Sequence, residues 1–115
     1  MKIDHPALSQ IPALRRLWQE AFADDDAFLD RFFDTAFSPR RCRILQEENQ
    51  IAAALYWFDC RCYGTPMAYL YAIATDRAFR RRGFCHRLLE DTHALLRERG
   101  YGGSILVPAS PSLAD

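Results

Sequence analysis

Arginines 77, 80, 81 and 82 stand immediately ahead of Gly83-Phe84-Cys85-His86-Arg87-Leu88-Leu89, where an apolar pattern of helical spacing begins. That is the wrong sign of charge for a helix start. The macrodipole is positive there, and each misplaced cation costs roughly 0.3–1 kcal/mol near the first turn. A sequence that tolerates this cost has an anion to place there. Backbone N–H groups at a helix start and guanidinium forks both bind phosphate. Residues 77–87 carry no acidic side chain, although the whole chain is balanced, with 15 basic and 15 acidic residues. The zero net charge disfavours a whole-surface nucleic-acid binder, which would be more basic.

The elements that must position this loop follow from periodicity. Met1–Ile3 reads as a short strand. Ser9 is expected as an N-cap and Pro12 in the first turn of a helix over 10–22, with Ile11, Leu14, Trp18, Ala21 and Phe22 on one face. Asp24–Asp26 caps a second helix whose stripe is Phe28, Leu29, Phe32, Phe33, Ala36 and Phe37, ended by Ser38-Pro39. Cys42–Glu47, Ile51–Cys62 and Met67–Thr75 read as three antiparallel strands joined by turns at 48–50 and 63–66. The third is almost wholly apolar, as a strand covered on both faces would be. A loop over 76–82 leads to a helix over 83–99, capped by Gly100. Gly103–Val107 is a last strand, paired parallel to the third because a helix separates them. The fold class is α/β with a mixed sheet. With 115 residues, one domain over 1–115 is expected.

Several readings of the arginine loop fail. A P-loop needs Gly-x4-Gly-Lys-Ser/Thr, and a dinucleotide fingerprint needs three spaced glycines; only Gly83 is present. A helix-turn-helix is excluded because an apolar strand precedes the loop. The four cysteines, Cys42, Cys60, Cys62 and Cys85, contain no CxxC pair. They are expected to be reduced and structural, with no metal, in a cytoplasmic protein. No apolar run reaches the ~20 residues that span a membrane.

What remains is strand, basic loop, glycine, helix. At Arg80-Arg81-Arg82-Gly83-Phe84-Cys85 the chain resembles the GNAT superfamily of N-acetyltransferases, whose motif is Arg/Gln-x-x-Gly-x-Gly/Ala. Ile73-Ala74-Thr75-Asp76 matches the strand end leading into that motif, and Leu88-Leu89-Glu90 the helix that carries it. The order of elements agrees over residues 1–107. The resemblance implies acetyl-CoA as cosubstrate and a primary amine, on a small molecule or peptide, as acceptor. It assigns the pyrophosphate to backbone N–H groups of Arg81, Arg82, Gly83, Phe84, Cys85 and His86, beside Arg80. It assigns the pantetheine arm and acetyl carbonyl to main-chain groups of Ile73, Ala74 and Thr75, where the strand would splay from its neighbour. Two positions depart from the pattern: Cys85 replaces the usual Gly or Ala, and Arg81 stands where glycine is common.

The family continues past its fifth strand into a further helix and hairpin, and that helix often carries a tyrosine that protonates the departing thiolate. This chain ends at Asp115, before that region. A non-catalytic acyl-CoA-binding module, or a fragment of a longer acetyltransferase, is therefore the alternative to a complete enzyme. The last strand would leave an open sheet edge, which a second copy of the chain is expected to cover unless more chain follows.

Direct transfer requires a neutral amine, and an alkyl ammonium titrates near 10.4, so a base or water chain must remove a proton. Glu47, Asp59, Tyr69, Tyr71 and His93 are the candidates. Tyr69 and Tyr71 share a strand face beside the expected thioester position, and Tyr71 is favoured for lining the acceptor pocket. Phe32, Phe33 or Phe37 are further candidates for that lining. His93 reads as a solvated helix residue, and Cys85 is not expected to be a nucleophile, since no partner base is identifiable from the sequence.

Overall fold

The computed structural model describes residues 1–106. Strand β1 (Lys2–Asp4) is followed by a 3-10 turn at Leu8–Gln10 and by helices α1 (Ile11–Phe22) and α2 (Asp26–Arg31). Strands β2 (Cys42–Glu47), β3 (Gln50–Cys62) and β4 (Thr65–Thr75) come next, then a 3-10 turn at Arg77–Phe79, helix α3 (Phe84–Glu98) and strand β5 (Ser104–Leu106). The sheet runs β1-β2-β3-β4-β5. All pairs are antiparallel except β4 with β5, which is parallel as the crossover helix requires. None of the described helices is long and apolar enough to cross a membrane.

The sheet separates two apolar layers. On one face α3 places Phe84, Cys85, Leu88 and Leu96 against Leu55, Trp57, Leu70 and Ile73. On the other, Leu14, Leu17 and Trp18 of α1, with Leu29 and Phe32, cover Ile44, Ala54, Tyr56 and Ala74. Helix α3 ends as its Gly100 predicts. The Gly100 N–H bonds to Arg97 O at 3.1 Å and the Tyr101 N–H to Leu96 O at 3.0 Å, the paired bonds of a Schellman cap.

Four expectations are corrected. Ser9 is not a cap: it sits inside the 3-10 turn, and Gln10 holds the N-cap position of α1. The second helix does not run uniformly to Phe37, because Phe32–Ala36 winds as a π-turn. The β3–β4 turn is confined to Tyr63-Gly64, with φ of 52° and 81°. Both residues lie in the left-handed region that a tight two-residue hairpin demands, so Thr65 and Pro66 belong to β4. Finally, β4 is covered on both faces only in part, since Tyr69 remains 37% exposed. Strand β5 is described from Ser104 to Leu106; Val107 and the tail 108–115 lie outside the described residues.

Candidate active site

The C-terminal end of β4 is not a regular strand. Opposite β3, Tyr71 pairs with Tyr56 and Ala74 with Ala54, so two residues of β4 face the single Leu55. This is a β-bulge, and Ala72 within it has φ of 50°. A non-glycine residue there is strained by roughly 1–2 kcal/mol. The bulge resets which side chain faces which layer. Leu70 and Ile73, three apart, both pack on the α3 side, while Tyr71 and Ala74 pack on the α1 side. Ala72 carried no signal in the sequence, because alanine has no preference for positive φ.

Beyond the bulge, Asp76 fixes the strand end. Its N–H bonds to Ala52 O at 2.7 Å, and its Oδ1 accepts from Ala78 N–H at 2.8 Å. The chain then turns through Arg80–Gly83 into α3. Arg81 and Gly83 have φ of 65° and 73°. Glycine is the natural residue at both, because the backbone there is left-handed, and Arg81 adopts that conformation at a cost in strain. At Gly83 a Cβ would meet nothing within 4 Å. The glycine is thus required by conformation and not by crowding from the protein, and the space above it is open.

Helix α3 starts at Phe84 with Gly83 as N-cap. No side chain caps it and no acidic residue stands in its first turn. A helix start without a capping side chain is one at which an anion can bind. Around them Arg80, Arg81 and Arg82 are exposed. Two of these guanidinium groups have protein partners as well. Arg80 Nε donates to Thr75 O at 3.4 Å, a long bond, and Arg82 lies 5.3 Å from the Phe79 ring centroid. The His86 ring is exposed and faces Glu90 one turn on. Cys85 is buried in the core, so its small side chain fits the packing while its N–H belongs to the helix start.

On the opposite face of β4 a cleft of about 430 Å³ opens between α2 and the strands, with Tyr71, Phe58, Phe28 and Trp18 among its lining. Phe58 stacks on Tyr71 with ring centroids 4.4 Å apart and planes 11° apart. Trp18 is held from behind by its Nε1–H donating to Asp24 at 2.8 Å. Asp25 caps α2 by accepting from Phe28 N–H at 2.8 Å. The π-turn carries Phe32, Thr35 and Ala36 to the same cleft. π-turns recur where a helix must present side chains to a site.

Of the predicted pocket residues, Tyr71 and Phe32 line this cleft, while Phe33 and Phe37 do not; they pack against Phe32 with centroids 5.1 and 6.4 Å away. Burial, and the nearby Cys42 thiol, push the Tyr71 hydroxyl well above its ordinary range. Its proton is therefore held more tightly than that of a free phenol. The other candidate bases are occupied elsewhere. Glu47 pairs with the Met1 ammonium at 3.3 Å, and Asp59 accepts from the Tyr101 hydroxyl on the α3 side. His93 is not simply solvated, because its Nε2 lies 2.9 Å from Ser104 Oγ, tying α3 to β5. Tyr69 shares the face of Tyr71 but stands outside the cleft.

The fold has counterparts among known proteins. The family model of the GNAT acetyltransferase domain matches residues 2–115. Among curated proteins no sequence matches significantly. The fold superposes with a TM-score of 0.86 on a GCN5-related N-acetyltransferase from Anabaena variabilis, at 20% identity over 98% of this chain and 30% of that one. An aminoglycoside acetyltransferase from an uncultured soil metagenomic sample, in complex with sisomicin, gives 0.72 at 22% identity, over 95% and 78% of the two chains. A predicted acetyltransferase with acetyl-CoA from Clostridium acetobutylicum gives 0.73 at 18% identity, over 93% and 80%.

Proposed function

This chain belongs to the GNAT acetyltransferase family, and from that premise we propose that it transfers an acetyl group from acetyl-CoA directly to a primary amine. The observation that carries the reading is the uncapped start of α3 behind two left-handed residues, Arg81 and Gly83, joined by the loop 76–83 to a strand end distorted by a bulge. The first provides backbone donors for a pyrophosphate. The second supports backbone groups of Ile73, Ala74 and Thr75 as the seat of the pantetheine arm and thioester.

In this scheme the donor is held chiefly by main chain. N–H groups of residues 81–86 bind the diphosphate, with Arg80, Arg81 and Arg82 adding long-range attraction. A strand N–H near Ile73–Thr75 polarises the acetyl oxygen, and such preorganised donors act where charge develops in the transition state. The amine lone pair attacks the carbonyl carbon, a C–N bond forms, the C–S bond breaks, and CoA leaves as thiolate. The proton lost by the amine passes to the thiolate or to water. Tyr71, which lines the cleft, serves in this scheme as a wall of the acceptor pocket.

The test is acetyl-CoA titration by calorimetry, followed by free-thiol release with a panel of amines. Micromolar binding and amine-dependent release are expected. A folded sample that fails to bind at millimolar ligand would overturn the proposal, and binding without release for any amine would reduce it to a binding module.

A further inference from the structure

The cleft next to Tyr71 has a chemistry more specific than an amine pocket requires. Its lining is dominated by aromatic faces: Trp18 from α1, Phe28 from α2, Phe32 from the π-turn, Phe58 from β3 and Tyr71 from β4. Among the described lining residues the only full charge belongs to Arg31, and none is acidic. Three of the neighbouring carboxylates have other partners. Asp30 accepts from Arg15 at 2.8 Å, Asp24 from Trp18, and Asp25 caps α2. Arg31 itself has no carboxylate within ion-pair distance among the described residues.

A polyamine or an amino sugar carrying several ammonium groups would gain only the modest cation–π contact of an exposed site with the rings, and would meet the repulsion of Arg31 with no lining carboxylate to offset it. An acceptor that suits this lining has one amine, an apolar body and an anionic group for Arg31. We propose that the acceptor is an α-amino acid with an aromatic or branched aliphatic side chain. The side chain enters between Phe28 and Phe58, the carboxylate pairs with Arg31, and the amine points along β4 toward the bulge at Ala72. At roughly 3.3 Å per strand residue, Tyr71 lies within about 10 Å along the chain of Ala74, close enough for a bound amine to face the proposed thioester. Charge-assisted pairing of arginine with carboxylate supplies orientation as well as attraction, and aromatic walls supply most of the buried area.

This assignment rests on the acyl-transfer reading, but it can be tested without the donor. Trp18 lies in the cleft, so its fluorescence and calorimetry report acceptor binding in the absence of CoA. L-phenylalanine and L-leucine are expected to bind, spermidine is not, and phenethylamine, which lacks the carboxylate, should bind more weakly than L-phenylalanine. The key variant is Arg31→Gln, at an exposed position, with retained folding checked by circular dichroism. It should weaken L-phenylalanine about tenfold, the loss of one charge-assisted contact, and leave phenethylamine unchanged, whereas Phe58→Ala should weaken both. Binding of spermidine in preference to L-phenylalanine, equal effects of Arg31→Gln on both ligands, or competition between acetyl-CoA and L-phenylalanine would overturn the proposal. If L-phenylalanine binds as described but acetyl-CoA does not, the donor reading fails and the cleft assignment stands.

Discussion

The two faces of β4 lead to two kinds of site. The loop into α3 is short, local and polar, and its geometry lies in the backbone: two residues at positive φ and a helix start that no side chain caps. The cleft on the α2 side is assembled from α1, α2, β3 and β4, and its geometry lies in side chains. A backbone site depends on conformations that few residues can adopt, and is therefore sensitive to single φ-restricting changes. A side-chain site depends on packing, so its parts serve stability and recognition together.

That contrast can be broken at several points. Phe32 is buried beneath the cleft and lies 4.7 Å from Trp18, 5.6 Å from Tyr56 and 5.7 Å from Tyr71, measured between ring centroids. Phe32→Ala should cost about 3–5 kcal/mol of folding stability, read by urea denaturation, while protein that remains folded still binds acetyl-CoA. Loss of donor binding in the folded fraction would mean that the two sites are not separable.

The next effect is alkaline. Cys42, Tyr56 and Tyr71 all lie on the cleft side, and burial raises each above its ordinary value of 9.0 for the thiol and 10.0 for the phenols. The unfolded chain therefore releases these protons first. Their contribution to stability is complete below about pH 9 and is lost as the pH rises through and beyond 10. Denaturation midpoints measured from pH 7 to 11 should fall above pH 9, and Cys42→Ala should delay the onset. A flat profile would show that the aromatic layer is more open to water than the structure has it.

Gly83→Val places a β-branched residue at φ of 73°, a strain of roughly 1–2 kcal/mol, and puts a side chain into open space above the helix start. Acetyl-CoA affinity should fall at least about tenfold, since 1.4 kcal/mol is already a factor of ten, with the melting temperature only modestly lower. Unchanged affinity would sink the backbone-cradle account. The smallest expected effect is the most discriminating. Arg81→Gly removes one charge but relieves a left-handed arginine, so stability should rise by about 1 kcal/mol and affinity should change no more than a few-fold. A collapse of affinity would move the site from the backbone to the arginine side chains.

The loop and its surroundings were legible in the sequence because their signals are local. A wrong-sign helix start, a glycine at its boundary and an apolar strand before it lie within 20 residues, and each has a direct conformational meaning. The strands were legible for the same reason, with Cys42–Glu47 falling within the bounds read from the sequence. Legibility stopped where one residue meets another far along the chain. His93 read as solvated because its partner Ser104 belongs to a different element. Ser9 read as a cap because the 3-10 turn stabilised by Gln10 accepting from Ala7 N–H at 2.8 Å has no pattern of its own.

The sequence by itself determined the order of elements, the parallel closure of the last strand and the anion-seeking helix start, since hydrophobic period, turn chemistry and charge sign act over a few residues. Only the tertiary structure decided that β4 carries a bulge at Ala72, that Arg81 is left-handed, and that Phe58 of β3 stacks on Tyr71 to wall a cleft against Phe28 of α2. Those features arise from pairing and packing between distant segments. No single stretch of the chain holds the energy that favours them.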